Sequence, residues 1–150
     1  MKFKELREKY ITYGGEVKKF KKRKGEVEEG YTISYSKKIT EADVFVFGLI
    51  SGDWNPIHFD DEFASKTKFG KRIAHGMLTT SLVSAAVAQM PGIIVLVRTE
   101  FSYIKPVSIG DTVEVRGKVV KKEKNRITLE IGCYVGKEKV VDGKVDLLIW

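Results

Sequence analysis

Asp53 and His58 put a carboxylate and an imidazole five residues apart on the stretch Gly52-Asp53-Trp54-Asn55-Pro56-Ile57-His58, which reads as a loop. Gly52 permits the positive backbone angle that ends a helix, Asp53 and Asn55 favour local turns, and Pro56 pushes Asn55 out of the helical region. With ordinary pKa values of about 3.9 and 6.5, the carboxylate is ionised at neutral pH while the imidazole is poised to exchange a proton. The chain's other histidine, His75, stands before Gly76 at the head of an uncharged run in which Gly76, Thr79, Thr80, Ser81, Ser84, Ala85, Ala86 and Ala88 keep the side chains small. That run reads as a helix meant for burial, slim enough for neighbouring backbone or a ligand to approach. The amides at its start, at Gly76 and its neighbours, have no intrahelical acceptor and present the positive end of the helix dipole to incoming negative charge.

The pattern Gly52-Asp53-x-Asn55-Pro56-x-His58-x-Asp60, followed by Phe63-Ala64, Phe69 and Ile73-Ala74-His75-Gly76-Met77, resembles the MaoC-like dehydratases, and among them the (R)-specific enoyl-CoA hydratases. The likeness continues through Phe101, Pro106-Val107, Gly110-Asp111 and Val113, and covers residues 32–150. It implies reversible addition of water to trans-2-enoyl thioesters of CoA or of an acyl carrier, with no metal and no cofactor beyond the CoA of the substrate. It implies that Asp53 and His58 act on the catalytic water, that Asn55 supports their loop, that the Gly76 amide holds the thioester oxygen, and that a helix serine, Ser84 by alignment, assists. Such a reaction needs a base for water, an acid for the alpha carbon and donors for an enolate-like oxygen, and these residue types supply all three. His75 reads as a structural hydrogen bond at the helix start, with direct substrate contact as the alternative. Asp60 reads as a loop-ordering group, Trp54 as a packing residue, and Cys133 as a small buried apolar side chain.

A chain of 150 residues suits one domain. One cysteine excludes an internal disulfide, and two histidines are too few for a Cys/His metal cluster, so a reducing cytoplasm is expected. The uncharged span 73–97 is long enough to raise a membrane crossing, but its His75, Thr79, Thr80, Ser81, Ser84 and Gln89 and the break at Pro91-Gly92 argue for a soluble helix followed by a strand. The whole formal charge of +7 falls within residues 1–25. Residues 1–28 are therefore expected to form a basic extension, and residues 29–150 the domain proper. The run Lys18-Lys19-Phe20-Lys21-Lys22-Arg23-Lys24 reads as a solvated, partly flexible arm, with attraction for ligand phosphates as the alternative. A single aromatic in that run makes no stacking platform for nucleic acid.

The elements around the site follow from periodicity. Phe3, Leu6 and Tyr10 lie at helical spacing, and residues 31–36 alternate as a strand. Thr40 with Asp43 forms a capping box, stapled by Ile39 and Val44, for a helix that ends at Gly52 and delivers Asp53. A short helix is expected over 61–68, the buried helix over 73–88, and strands over 93–103, 112–122, 127–135 and 139–150. One slender apolar helix ahead of four consecutive strands needs the sheet to wrap around it. The expected fold is thus α+β, a hotdog: a five-stranded antiparallel sheet around a long central helix, as the resemblance also implies. Its free edge and apolar surface predict a homodimer or higher homo-oligomer. A hotdog thioesterase would need an acid on the core helix, and residues 74–90 contain no Asp or Glu. A non-catalytic acyl-thioester-binding module would have no need to hold Asp53 and His58 together.

Overall fold

The computed structural model describes residues 2–150. In chain order it contains α1 (Phe3–Thr12), β1 (Thr32–Lys38), α2 (Glu41–Ser51), α3 (Pro56–Phe59), α4 (Asp61–Ser65), α5 (Gly76–Ala88), β2 (Ile94–Tyr103), β3 (Thr112–Glu123), β4 (Arg126–Val135) and β5 (Glu138–Ile149). The strands form one five-stranded antiparallel sheet in the order β1-β3-β4-β5-β2, and α5 packs against it, so the molecule has the expected hotdog architecture. Alternation decides which face is covered. Val113, Val115 and Val119 of β3, Ile127, Leu129, Ile131 and Cys133 of β4, and Val141, Val145 and Leu147 of β5 all point inward onto Leu78, Leu82, Val83, Ala86 and Val87 of α5. Burial pushes the Cys133 thiol up to about 11, which leaves it protonated and unreactive at neutral pH. Among the described residues no helix is long and apolar enough to cross a membrane.

α2 is built as its sequence dictates. The Thr40 side chain accepts from the Asp43 amide, Asp43 reaches back to the Thr40 amide at 2.8 Å, and Gly52 closes the helix in the left-handed region at φ 76°. Asp43 does more than cap. Its carboxylate also takes a 2.7 Å bond from Lys37 and a short one from the Tyr10 hydroxyl of α1, all largely out of water. Burial alone would raise the Asp43 carboxyl, but the bonds from Lys37, Tyr10 and Thr40 outweigh it and hold the group below its usual value.

The N-terminal segment is bound to the domain at several points. Tyr10 ties α1 to the head of α2, and Val27 is buried in the core. The Arg23 amide donates to the Gln89 carbonyl at 2.7 Å and the Lys22 ammonium to the Ala88 carbonyl at 2.9 Å, so two members of the basic run satisfy the C-terminal end of α5. The run is solvated as expected, with Lys18, Lys19, Phe20, Lys21, Lys22 and Lys24 exposed, but Lys22 and Arg23 tether it to the end of α5 through partners invisible in a run of charges.

Removing one member of a buried charged cluster leaves the other unpaired. Asp43→Ala should therefore cost about 3 kcal/mol of stability at pH 7, read from thermal or denaturant unfolding. Because the carboxyl titrates lower in the folded state than its unfolded value of about 3.9, its contribution is complete above that pH and fades as the pH falls through the folded value. The stability gap between wild type and variant should begin to narrow only below about pH 4.

Candidate active site

The connector between α2 and α5 carries the reactive groups, and it is more regular than the sequence suggested. Pro56 occupies the first position of α3, a single helical turn whose N-cap is Asn55, with the Asn55 Oδ1 accepting from the Ile57 amide at 3.3 Å. Residues 52–55 are irregular as expected, while the second half of the connector forms one turn that Pro56 starts and that stops at Asp60. Asp60 in turn caps α4 through the Phe63 amide at 2.9 Å. Trp54 packs on Phe59 and Phe45, and both Trp54 and Phe59 lie so close to Gly48 that a Cβ there would meet them at 2.9 and 2.8 Å. A glycine in the middle of α2 is what lets the connector fold back onto that helix.

These supports fix Asp53 and His58. The Asn55 amide donates to Asp53 Oδ1 at 3.1 Å, leaving Oδ2 to face His58 Nε2 at 3.9 Å. His58 is buried, and its Nδ1–H donates to the Ile73 carbonyl at 2.7 Å, so the lone pair of the neutral ring sits on Nε2, on the side of the carboxylate. At 3.9 Å the two groups are too far apart for a direct hydrogen bond, and a water can bridge them.

His75 joins the pieces. It is 2% exposed, its ring stacks on His58 with centroids 3.8 Å apart, and Phe47 and Phe59 close around it at 4.8 and 5.6 Å. Its Nε2–H donates to the Asp53 carbonyl at 3.1 Å, while Nδ1 is buried with no partner. Burial pushes the His75 imidazole below its ordinary value against the pull of that bond, and the neighbouring His58 adds to the effect. His75 is also the N-cap residue of α5 but gives it no side-chain bond, so the first-turn amides of Gly76 and its neighbours stay without an intrahelical or capping acceptor. Gly76 is exposed, and a Cβ there would come within 2.9 Å of the Tyr103 ring. A cavity of about 400 Å³ lies over this tip, lined by Asp53, His75, Gly76, Met77 and Tyr103 with Phe47 and Ser51.

The structure thus gathers Asp53, His58, His75 and Gly76 at one place, with Asn55 acting through the turn. Ser84 is not among them. It lies eight residues along α5 from Gly76, about 12 Å at the helical rise, and opens onto an adjoining apolar cavity of about 270 Å³ that shares Phe47 and Met77 with the first. The carboxylate and the two imidazoles offer atoms within 4.8 Å of one another, as a metal site would. Two of the four ring nitrogens are bound to carbonyls, however, which leaves His58 Nε2 and the buried His75 Nδ1 as the free imidazole donors.

Sequence reasoning missed Arg72. Its Nε donates to Asp61 at 2.7 Å, its Nη1 to Glu41 at 3.1 Å and to the His58 carbonyl at 3.3 Å, and Nη2 makes a short bond to Glu41. One guanidinium clamps α2, α3 and α4 around the imidazole. Nothing local marks it, because Glu41 lies 31 residues away.

A family profile described as a MaoC like domain matches residues 22–142. The chain is 41% identical over 124 residues to a 3-hydroxybutyryl-CoA dehydratase from Methylorubrum extorquens, covering 79% of this chain and 78% of that protein. It is 34% identical over 128 residues to an (R)-specific enoyl-CoA hydratase from Rhodospirillum rubrum, covering 83% and 89%. Among solved structures, a protein from Archaeoglobus fulgidus superposes with a TM-score of 0.96 at 56% identity, covering 98% of this chain and 94% of that one.

Arg72→Met should loosen the turn that carries His58. Losing partly buried charge-assisted bonds predicts amide exchange at residues 58–60 faster by about 10-fold, with strands β3 and β4 unchanged, measured by hydrogen–deuterium exchange.

Proposed function

The chain belongs to the MaoC-like dehydratase family, and from that membership we propose that it is a hydro-lyase interconverting trans-2-enoyl and (R)-3-hydroxyacyl thioesters of CoA. The two curated relatives are named for the two directions of this one reaction, and the (R) configuration comes from the second. The observation that carries the reading is that Asp53 Oδ2 and His58 Nε2 face each other at 3.9 Å beside the open tip of α5.

A water held between them has a proton acceptor on each side. As its oxygen adds to the beta carbon, the pair takes one proton from it and passes that proton to the alpha carbon, so the site ends a turnover as protonated as it began. Negative charge developing on the thioester oxygen is met by the Gly76 amide and the helix dipole behind it. Asn55 and His75 act on this chemistry through Asp53, the first by orienting its carboxylate and the second by holding its carbonyl. Addition of water is redox-neutral overall, so the reading calls for no redox cofactor, and Asp53, His58 and the Gly76 amide fill the acid, base and oxyanion roles without a metal.

The protein works as a homodimer in this reading. β2 ends the sheet and leaves Val95, Leu96 and Val97 43–47% exposed. An apolar unpaired edge of that kind is suited to pairing with a second copy. With its one cysteine buried, the fold depends on no disulfide, which suits a reducing cytoplasm.

Two measurements check these statements. Consumption of crotonyl-CoA, followed by loss of ultraviolet absorbance, should fall at least ~100-fold in both Asp53→Asn and His58→Gln; wild-type-like rates in either would remove that residue from the chemistry. Val95→Lys should shift the sedimenting species from dimer to monomer, and an unchanged dimer would move the interface off β2.

A further inference from the structure

A second cavity, of about 330 Å³, lies on the other side of Gly76, with Lys68, Phe69, Lys105 and Pro106 in its lining. Gly76 and Tyr103 alone line both it and the cavity that holds Asp53. Gly76 has no side chain to move, so the wall between the two is the Tyr103 ring. That ring lies against the Gly76 Cα, is half exposed, and is pinned through its hydroxyl to Thr80 Oγ1 at 3.1 Å. Either hydroxyl can donate in this contact, since Thr80 Oγ1 also lies 3.3 Å from the Met77 carbonyl and 3.4 Å from that of Gly76. One hydroxyl bond at a solvent-facing ring is a weak latch.

The next step rests on the thioester reading above. With the carbonyl oxygen on the Gly76 amide, the carbonyl carbon has two substituents that diverge. The alkene must lie toward Asp53 and His58, which sends the sulfur to the other side of Gly76. We propose that the second cavity receives the phosphopantetheine arm of the CoA thioester, that the Tyr103 ring swings from Thr80 to admit it, and that Lys68 and Lys105 meet its phosphates. Both lysines are surface groups whose charge is available. Lys105 pairs with the exposed Glu138 at 2.8 Å, a contact that a phosphate can displace, and Lys68 lies over the Phe69 ring at 5.2 Å. The basic N-terminal run does not compete for this role from within the same protomer. Its Lys22 and Arg23 are bound at the far end of α5, about 20 Å from Gly76.

The test compares crotonyl-CoA, crotonyl attached to an acyl carrier protein, and crotonyl-N-acetylcysteamine, which keeps the thioester but has no phosphate. The double variant Lys68→Ala/Lys105→Ala should raise KM for crotonyl-CoA about tenfold with kcat unchanged, and leave kcat/KM for the N-acetylcysteamine thioester within twofold. The same tenfold rise with the carrier-protein thioester assigns the lysines to the phosphate that both arms share, and a rise confined to CoA assigns them to its nucleotide phosphates. Tyr103→Trp, which overfills the passage, should lower kcat/KM for crotonyl-CoA at least tenfold with an unchanged melting curve, while Tyr103→Phe stays within threefold. No change in KM for any thioester in the double variant, equal changes for all three, or an innocuous Tyr103→Trp overturns the proposal. Turnover of crotonyl-CoA by wild type registers the hydratase reading separately, and its absence would bring down both.

Discussion

The bond from His75 Nε2–H to the Asp53 carbonyl holds the site together, because it ties the end of one segment to the start of another. Asp53 follows the C-terminus of α2, and His75 immediately precedes α5. Without a direct tie, the carboxylate and the amide tip would belong to two bodies free to drift by more than the tolerance of proton transfer. The same imidazole then stacks on His58, so three functional groups are referred to one buried ring. A carbonyl acceptor requires a proton on Nε2, and burial disfavours a second proton on the ring, so the tie and the neutral charge state support each other.

Around that ring the fold supplies rigidity in proportion to need. The hydrophobic sheet fixes α5, the Asp43 cluster fixes the head of α2, and Arg72 fixes the turn between. The Asp43 cluster places charge where water is scarce, Arg72 sits at the surface between two exposed carboxylates, and each balances its charge with several directional bonds. The tip of α5 is the exception. It stays open where everything behind it is closed, which is the arrangement a group that must receive developing charge requires.

Much of this was legible in the residues. The Thr40–Asp43 box, the Gly52 stop, the alternation of β3 to β5 and the pairing of Asp53 with His58 are local patterns with local causes, and they survive translation into three dimensions. Ser84 was placed by alignment alone, and helical rise carries it two turns from Gly76 onto the adjoining cavity. α3 was hidden because Pro56 reads equally as a loop former and as the first residue of a helix. The contacts of Arg72 and the tether of the exposed basic run were missed for a common reason: a charged residue shows nothing of its partner until the chain is folded, and Glu41 lies 31 residues from Arg72 while Ala88 lies 66 from Lys22.

The contact between Gly76 and Tyr103 also constrains how this site can change over generations. Since the ring occupies the volume a first side-chain carbon would need, a substitution at 76 is accommodated only on a background already reduced at 103, and a reduced residue at 103 gives up the latch to Thr80 before any benefit arrives. The two positions are therefore expected to show sign epistasis, with one mutational order passable and the other closed.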